Sequence, residues 1–104
     1  MREWLFQPLG MSTASFGVPG TIGGLDQPWG HARESGQLKP VQGDNPPAIG
    51  PAGTVHCSLP DLAKFAMLHM KGARGEATLL RASSFKKLHT GFDGGDYALG
   101  WLVA

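Results

Sequence analysis

Two overlapping pairs of serine and lysine are the residues of this chain whose spacing most resembles a catalytic arrangement. Ser83 precedes Lys86 by three positions, and Ser84 precedes Lys87 by the same interval. On a helix this spacing places a hydroxyl and an amine on one face, where the amine could activate a serine nucleophile. The lysines of an amphipathic helix more often form its solvated face, and a pattern with two free positions arises readily by chance. We therefore expect both pairs to be non-catalytic.

The histidines and the single cysteine offer no further catalytic or metal site. His31, His56, His69 and His89 lack a ligand spacing such as His-x-x-x-His, and Cys57 has no second cysteine for a disulfide or a cysteine-rich zinc site. His69 is expected to be a half-buried packing residue. Because neighbouring side chains of an extended segment point to opposite faces, His56 and Cys57 would not meet. The sequence predicts no metal and no cofactor.

The composition is that of one small domain or part of a larger one, since the chain has 104 residues. Only 16% of the residues are charged and the formal net charge is +1, which excludes the basic surface of a nucleic-acid-binding protein. No apolar run approaches the roughly 18 residues of a membrane span. No signal segment is recognisable, so the sequence assigns no compartment.

Residues 1–57 are predicted to be loop-rich, because all eight prolines of the chain lie at or before position 60. Residues 2–7 are typical of the end of a helix that stops before a proline. Glycines interrupt any regular period over residues 9–25. A β-hairpin with a glycine in its turn is predicted near residues 29–41. Residues 42–51 are predicted to be a loop.

Residues 58–104 are predicted to form a helix, a second helix and a strand. Ser58 can cap the first helix by accepting a hydrogen bond from the backbone of Asp61, which can reach back in turn. This helix is predicted from about Ser58 to Lys71, with Gly72 ending it. Its core-facing stripe is predicted to comprise Leu62, Phe65, Ala66, His69 and Met70.

The second helix is predicted from about Ala82 to Leu88, with Phe85 facing inward. The alternation and the aromatic content of residues 97–103 predict one strand. The predicted fold class is therefore α+β and mainly helical, without a sheet of four or more long strands.

Four pieces of the chain, in this order, resemble the serine β-lactamase-like family, which includes class C β-lactamases, D,D-peptidases and related esterases. Leu5-Phe-Gln-Pro-Leu-Gly-Met11 is similar to the family's F-x-P-L-G-M, and Gly30-His31 to its G-H hairpin. Pro51-Ala-Gly53 followed by Ser58-Leu-Pro-Asp-Leu-Ala63 is similar to P-A-G-G-x-x-S-T-x-x-D-L-A-R-F. Tyr97-Ala-Leu-Gly-Trp101 is similar to Y-G-L-G-W. The resemblance covers nearly the whole chain.

The resemblance implies that the chain contains none of the family's catalytic boxes. In the family, Ser-x-x-Lys and Tyr-x-Asn precede the P-L-G-M piece, and Lys/His-Thr-Gly follows Y-G-L-G-W. Ser83, Lys86, Tyr97 and His89 therefore occupy the wrong places in the order. The resemblance implies a single partial domain over residues 1–104, with part of the family's helical region, a β-hairpin and a terminal strand.

One piece is implied to lie near the substrate of the family. Pro51, Ala52 and Gly53 would belong to a loop at the mouth of the active site, as rim residues of the substrate pocket and not as catalytic ones.

Two functions of different classes follow. Under the first, the chain is a non-catalytic interior fragment of a serine hydrolase, which as a full-length parent takes small-molecule substrates: β-lactams, peptidoglycan peptides or small esters, by acyl transfer. Under the second, it is an autonomous non-catalytic interaction module, either monomeric or oligomeric. A helix that ends close to the N-terminus and a strand at the C-terminus favour the first.

Self-association is also predicted. Six aromatic side chains cannot all be buried within 104 residues, and exposed apolar patches usually mark interfaces; they are Trp4, Phe6, Trp29, Phe65, Tyr97 and Trp101. The strand predicted at residues 97–103 would be the pairing edge.

Overall fold

The computed structural model describes residues 1–103, and its class is the mixed α+β class expected from the sequence. Its helices are a π-helical turn at Arg2–Phe6, a 3₁₀ turn at Pro47–Ile49, α1 at Gly50–Gly53, α2 at Leu59–Ala73, α3 at Ala82–Leu88 and a 3₁₀ turn at Phe92–Gly94. Its strands are β1 at Ser15–Phe16, β2 at Gly30–Glu34, β3 at Gln37–Val41, β4 at Val55–His56, β5 at Tyr97–Ala98 and β6 at Trp101–Leu102.

The strands pair into three separate two-stranded antiparallel sheets within residues 1–103. β1 pairs with β4, β2 with β3, and β5 with β6. No strand of this part of the chain is longer than five residues, in line with the expected absence of a large sheet. The β1–β4 pair was not predicted, because each of its strands has only two residues and shows no period.

The predicted hairpin is present, with a tighter turn than expected. Glu34 pairs with Gln37, so Ser35 and Gly36 alone form the turn, at φ values of 50° and 81°. Positive φ at both central residues is the geometry that matches the twist of two antiparallel strands. Every residue of β2 and β3 is exposed.

The prediction of one strand over residues 97–103 is wrong. The chain reverses at Leu99 and Gly100, whose φ values are 43° and 103°, and β5 pairs with β6. The N–H of Val103 donates to the carbonyl of Asp96 over 2.8 Å and closes the hairpin. Alternation of side chains does not distinguish a continuous strand from two short strands with a turn between them, and leucine is an unusual residue at positive φ.

The loop predicted over residues 42–51 is wrong in its last part. Residues 47–53 form the 3₁₀ turn and α1 in succession. Pro47 and Pro51 lie in the first turns of these two elements, where the missing N–H of proline costs no helical hydrogen bond. Proline therefore starts helical structure here.

One of the two hydrogen bonds predicted at the N-terminus of α2 is present, and the other is replaced by a contact with Thr13. Ser58 Oγ accepts a hydrogen bond from the N–H of Asp61 over 3.4 Å. The predicted return contact from Asp61 is wrong, because the N–H of Ser58 donates to Thr13 Oγ1 over 3.0 Å. The Thr13 hydroxyl donates in turn to Asp61 Oδ2 over 2.6 Å. Aspartate is shorter than the glutamate of a usual capping box. The Thr13 hydroxyl therefore lies between Asp61 and the N–H of Ser58 and bonds to both.

Asp61 ties the loop before β1 to α2. Its side chain is buried, and Oδ2 also accepts the N–H of Thr13 over 2.8 Å while Oδ1 accepts Lys64 Nζ over 2.6 Å. The hydrogen bond from Lys64, followed by those from Thr13, lowers the pKa of Asp61 from 3.8 to about 2. Lys64 Nζ also donates to the carbonyl of Gly10, so one ion pair holds two points of the loop.

The C-terminus of α2 lies beyond the residue predicted to end it. Gly72 is inside the helix, and Gly75, at a φ of 84°, is the residue that terminates it. The N–H of Glu76 donates to the carbonyl of Lys71 and the N–H of Gly75 to that of Gly72. These two bonds form the Schellman motif that satisfies the last carbonyls of a helix.

Gly72 is needed for packing. A Cβ at this position would overlap the ring of Phe85 on α3, and the Phe85 side chain is 0% exposed. The two helices therefore cross at Gly72.

The predicted core stripe of α2 is displaced around the helix. The buried residues are Asp61, Leu68 and Gly72, and Phe65 and His69 are half-buried. Leu62, Ala66 and Met70 are exposed, so that part of the prediction is wrong. Since α2 carries apolar residues on both sides, periodicity alone does not separate the half-buried Phe65 and His69 from the exposed members of the stripe.

Replacing Ser58 with alanine is expected to reduce the free energy of unfolding by about 1 kcal/mol, because the helix loses its N-cap oxygen. Thermal and denaturant melting followed by circular dichroism measures the change. Replacing Ser12 with alanine is the control, since that exposed serine caps no helix. Identical melting of the Ser58→Ala variant and the parent would contradict the capping role.

Candidate functional site

A cavity of about 390 Å³ lies where β1 meets the helical stretch of residues 47–53. Its lining residues come from β1, the loop after it, the helical stretch and the residues beside that stretch: Phe16, Gly17, Asn45, Pro47, Gly50, Pro51 and Thr54. The wall is mainly apolar, which is typical of small-molecule pockets.

Hydrogen bonds fix the walls of this cavity. The N–H of Gly17 donates to the carbonyl of Thr54 over 2.9 Å, which joins β1 to the segment after α1. The buried Thr54 hydroxyl donates its hydrogen to the carbonyl of Gly50 over 3.1 Å, so it closes α1 and has no hydrogen left to donate to a ligand. Asn45 Nδ2 donates to the carbonyl of Gly53 over 3.0 Å. The walls of the cavity are therefore held by one backbone hydrogen bond and two hydrogen bonds from side chains to backbone carbonyls.

Phe16 is supported from behind by the N-terminal turn. Its ring centroid lies 5.7 Å from that of Phe6, and the guanidinium of Arg2 lies 5.4 Å from the Phe16 centroid. Arg2 also donates to Ser15 Oγ over 3.1 Å. Phe6 belongs to a buried cluster with Met11 and Ala14, so the wall of the cavity rests on a core.

The cavity is suited to binding and not to proton transfer. None of its lining residues has a side chain that titrates near neutral pH. General acid or base catalysis requires such a group within hydrogen-bonding distance of the reacting atoms.

The three predicted rim residues lie together on α1, but only one faces the cavity. Pro51 is part of the lining. Ala52 and Gly53 are exposed, and the Gly53 carbonyl accepts the hydrogen bond from Asn45. The rim segment is a helical turn and not the loop that the resemblance implied. Phe16 and Asn45 were missed, because nothing in their local sequence indicates that they approach residue 51.

The two serine and lysine pairs lie on α3 without contacts between their side-chain polar groups. Ser83, Lys86 and Lys87 are exposed on α3, and Ser84 is half-buried. Within residues 1–103, neither serine hydroxyl forms a hydrogen bond with either lysine.

The His56 side chain interacts with the backbone and not with Cys57. His56 Nδ1 lies 2.8 Å from the carbonyl oxygen of Gly17, and among the described residues no hydrogen bond links it to Cys57. The same portion of the chain contains no group of three or more histidine, cysteine, aspartate or glutamate side chains that could hold a metal ion. A search of its helices for length and apolar character finds none that could cross a bilayer.

A second cluster of chemistry-bearing side chains joins α2, the end of α3 and β6. His69 Nδ1 lies 2.9 Å from His89 Nε2. The His69 ring centroid lies 4.6 Å from that of Phe65 and 4.7 Å from that of Trp101. Burial, with a smaller contribution from His89, lowers the pKa of His69 below 6.5. His69 is half-buried as predicted, whereas the partnership with His89 was missed because it spans 20 residues.

Comparison with known proteins places the chain in one family. The profile of the Beta-lactamase family matches residues 1–104, the whole chain. Searches of curated proteins and of solved structures return no significant match. The matched region includes the residues that line the cavity at α1 and the helices α2 and α3. The chain belongs to the Beta-lactamase family.

Proposed function

We propose that this chain is the non-catalytic scaffold and pocket rim of a serine hydrolase of the β-lactamase type, whose nucleophile and base lie on chain outside these 104 residues. The observation that carries the proposal is the solvent-accessible area, 7814 Å² for 11.0 kDa. A compact monomer of this mass exposes about 5,600 Å². The excess of roughly 2,200 Å² is surface that a complete domain would cover.

The shape of the chain supports the same proposal. Its radius of gyration is 16.9 Å. A compact domain of this length has a radius of gyration of about 13 Å. The three sheets have two strands each and do not join into a common layer. The residues therefore pack into local units that lack a shared covering layer.

The exposed apolar residues support one position for this covering. On the outer face of α2, Leu59 is 80% exposed and Met70 58% exposed, and Leu62 lies between them on the same side. A helix that is apolar on both faces is typical of a buried helix. We infer that the remainder of the hydrolase domain packs on this outer face.

The cavity at α1 supports the role of pocket rim. It offers apolar walls and the Asn45 amide but no titratable side chain, so it suits part of a neutral ligand. β-Lactams, peptidoglycan peptides and small esters all carry neutral acyl portions. Acyl transfer itself needs a nucleophile next to a base, together with donors placed where negative charge develops.

The chain alone is expected not to be acylated by a fluorescent penicillin or an activated ester. Lys86 and Lys87 are exposed, and within residues 1–103 neither forms a hydrogen bond with a serine hydroxyl, so no base is placed to take the proton of a serine. Intact-mass spectrometry after incubation measures the adduct. The Ser83→Ala and Ser84→Ala variants are the controls. A stoichiometric adduct that disappears in either variant would overturn the proposal.

The reading frame that encodes the chain distinguishes the two hypotheses, a hydrolase scaffold and an autonomous interaction module. We expect an in-frame Ser-x-x-Lys and Tyr-x-Asn upstream and a Lys/His-Thr-Gly downstream. Sequencing the messenger RNA and measuring the mass of the native protein provide the test. A translated product confined to these 104 residues would support the interaction module instead.

Prepared by itself, the chain is expected to associate with copies of itself. An interface between stable partners buries about 800 Å² or more on each side, and the uncovered area exceeds that amount. The open edges of the β5–β6 hairpin and the outer face of α2 are the expected contacts. Sedimentation velocity across a concentration series measures the association, and Leu62→Lys should weaken it. A clean monomer at high micromolar concentration would contradict this prediction.

A further inference from the structure

The His69 and His89 side chains connect three elements of the C-terminal half. His69 lies on α2, and His89 is the residue that caps α3. Their nitrogens Nδ1 and Nε2 are 2.9 Å apart, a hydrogen-bonding distance. Trp101 of β6 lies edge-on to His89 with centroids 5.5 Å apart and also packs on His69.

A hydrogen bond between two imidazoles depends on their protonation. One ring must donate its N–H and the other must accept with a bare nitrogen. The bond is present in the neutral pair, and it survives one added proton, which can be placed on an outer nitrogen. When both rings are cations no acceptor remains, and two like charges face each other at close range.

The surroundings oppose the doubly charged state. Phe65, Phe85 and Trp101 pack on the half-buried His69 ring and carry no formal negative charge. Burial and the neighbouring His89 both lower the pKa of His69. A group whose pKa is lower in the folded state than the unfolded value of about 6.5 stabilises the fold above that pH and loses the contribution as the pH falls.

The remaining ionisable groups on the packed elements leave the pair without a carboxylate partner. They are Asp61, Lys64 and Lys71 on α2, Lys86 and Lys87 on α3, and Asp96 and Tyr97 at the start of the terminal hairpin. Asp61 is already paired with Lys64. Within residues 1–103, none of these groups forms a hydrogen bond or an ion pair with His69 or His89.

We propose that His69 and His89 form a pH-sensitive latch, which fastens α3 and the β5–β6 hairpin to α2 at neutral pH and releases them in mild acid. The released part contains Phe85, which packs on Gly72, and Trp101, whose ring lies parallel to that of Phe65 at 6.3 Å. Opening the latch therefore exposes aromatic surface of α2. The proposal is independent of where the catalytic residues of the hydrolase lie.

Hydrogen exchange between pH 7.5 and pH 4.5 tests the latch, with rates divided by the intrinsic rate at each pH. The parent chain is expected to lose protection several-fold in residues 82–89 and 97–103, and the first turns of α2 are expected to keep theirs. Asp61 stays ionised over this range because its pKa is about 2. A change in exchange between pH 7.5 and pH 4.5 therefore does not come from the titration of Asp61.

Two variants make the test specific. His89→Gln keeps a donor and an acceptor but does not titrate, so the loss of protection in these segments between pH 7.5 and pH 4.5 should be clearly smaller than in the parent, with only the burial of His69 left to cause it. His31→Gln removes an exposed histidine of β2 and should behave like the parent. Equal protection of the parent at both pH values, or an unchanged pH response in His89→Gln, would overturn the proposal.

A measurement on the unmodified chain covers the case in which a variant folds poorly. Imidazole nitrogen shifts from NMR report the tautomer and charge of each ring. At pH 7.5 we expect two neutral rings that share one N–H. A doubly charged pair at pH 7.5, or two rings that titrate without influencing each other, would refute the latch.

Discussion

Replacing Phe85 with alanine is expected to lower the free energy of unfolding by about 4 kcal/mol, the usual cost of removing a buried phenylalanine ring. The ring is 0% exposed and lies at the crossing of α2 and α3. α3 has only seven residues, too few for a stable isolated helix. The variant should therefore lose α3 as well as the packing of the ring. Denaturant unfolding followed by circular dichroism measures both effects.

Gly72, which lies against the Phe85 ring, provides a sharper test of the contact between α2 and α3. Gly72→Ala is expected to destabilise the parent by about 2 kcal/mol, because the new methyl group overlaps the Phe85 ring. In the Phe85→Ala background the same change should become stabilising by up to about 1 kcal/mol, since alanine favours a helix over glycine. Gly43→Ala is the control, because a Cβ there meets open space. Additive effects of the two changes would show that the helices do not cross at this point.

Local signals in the sequence were sufficient for the two main helices. Ser58 and the proline after it set the start of α2, and the predicted bounds of α3 match those observed, Ala82–Leu88. Gly72 was taken as the end of α2 because glycine often follows a helix. Its actual role depends on Phe85, thirteen residues further on, and no local rule identifies that contact.

The second large effect is expected at Asp61. Asp61→Asn should destabilise the chain at neutral pH, because the amide cannot balance the charge of Lys64. If its oxygen keeps both hydrogen bonds from Thr13, its NH₂ group replaces the oxygen that accepts from Lys64. The folded-state pKa is lowered to about 2 from 3.8, so the parent keeps this stabilisation above pH 3.8 and loses it as the pH falls through about 2. The difference between parent and variant should disappear at the lowest pH.

Melting temperatures recorded from pH 7 to pH 1.5 test this pH dependence. Asp93→Asn is the control, since that aspartate is exposed and lies in a turn outside the α2 contacts. The control should follow the parent at every pH. A constant difference between Asp61→Asn and the parent across the whole range would contradict an ionised Asp61 in the fold.

The candidate site was only partly predictable for a physical reason. The family resemblance implies that Pro51 lies at the rim of the substrate pocket, which stays a prediction, and in the structure Pro51 lines the cavity at α1. Phe16 and Asn45 complete the cavity through the β1–β4 pair and through a side-chain bond to the Gly53 carbonyl. Both contacts join segments that are distant in sequence or lack regular structure. Hydrophobic periodicity and residue propensity do not predict contacts between such segments.

The exposed β2–β3 hairpin has a consequence for engineering. The ten residues of its two strands pair with one another, and all of them are exposed. Because loop closure costs grow slowly with length, extra residues between Ser35 and Gly36 add little free energy. The tip of the hairpin is therefore the place in this chain where a peptide epitope or a small reporter domain can be inserted without displacing the core or the cavity at α1.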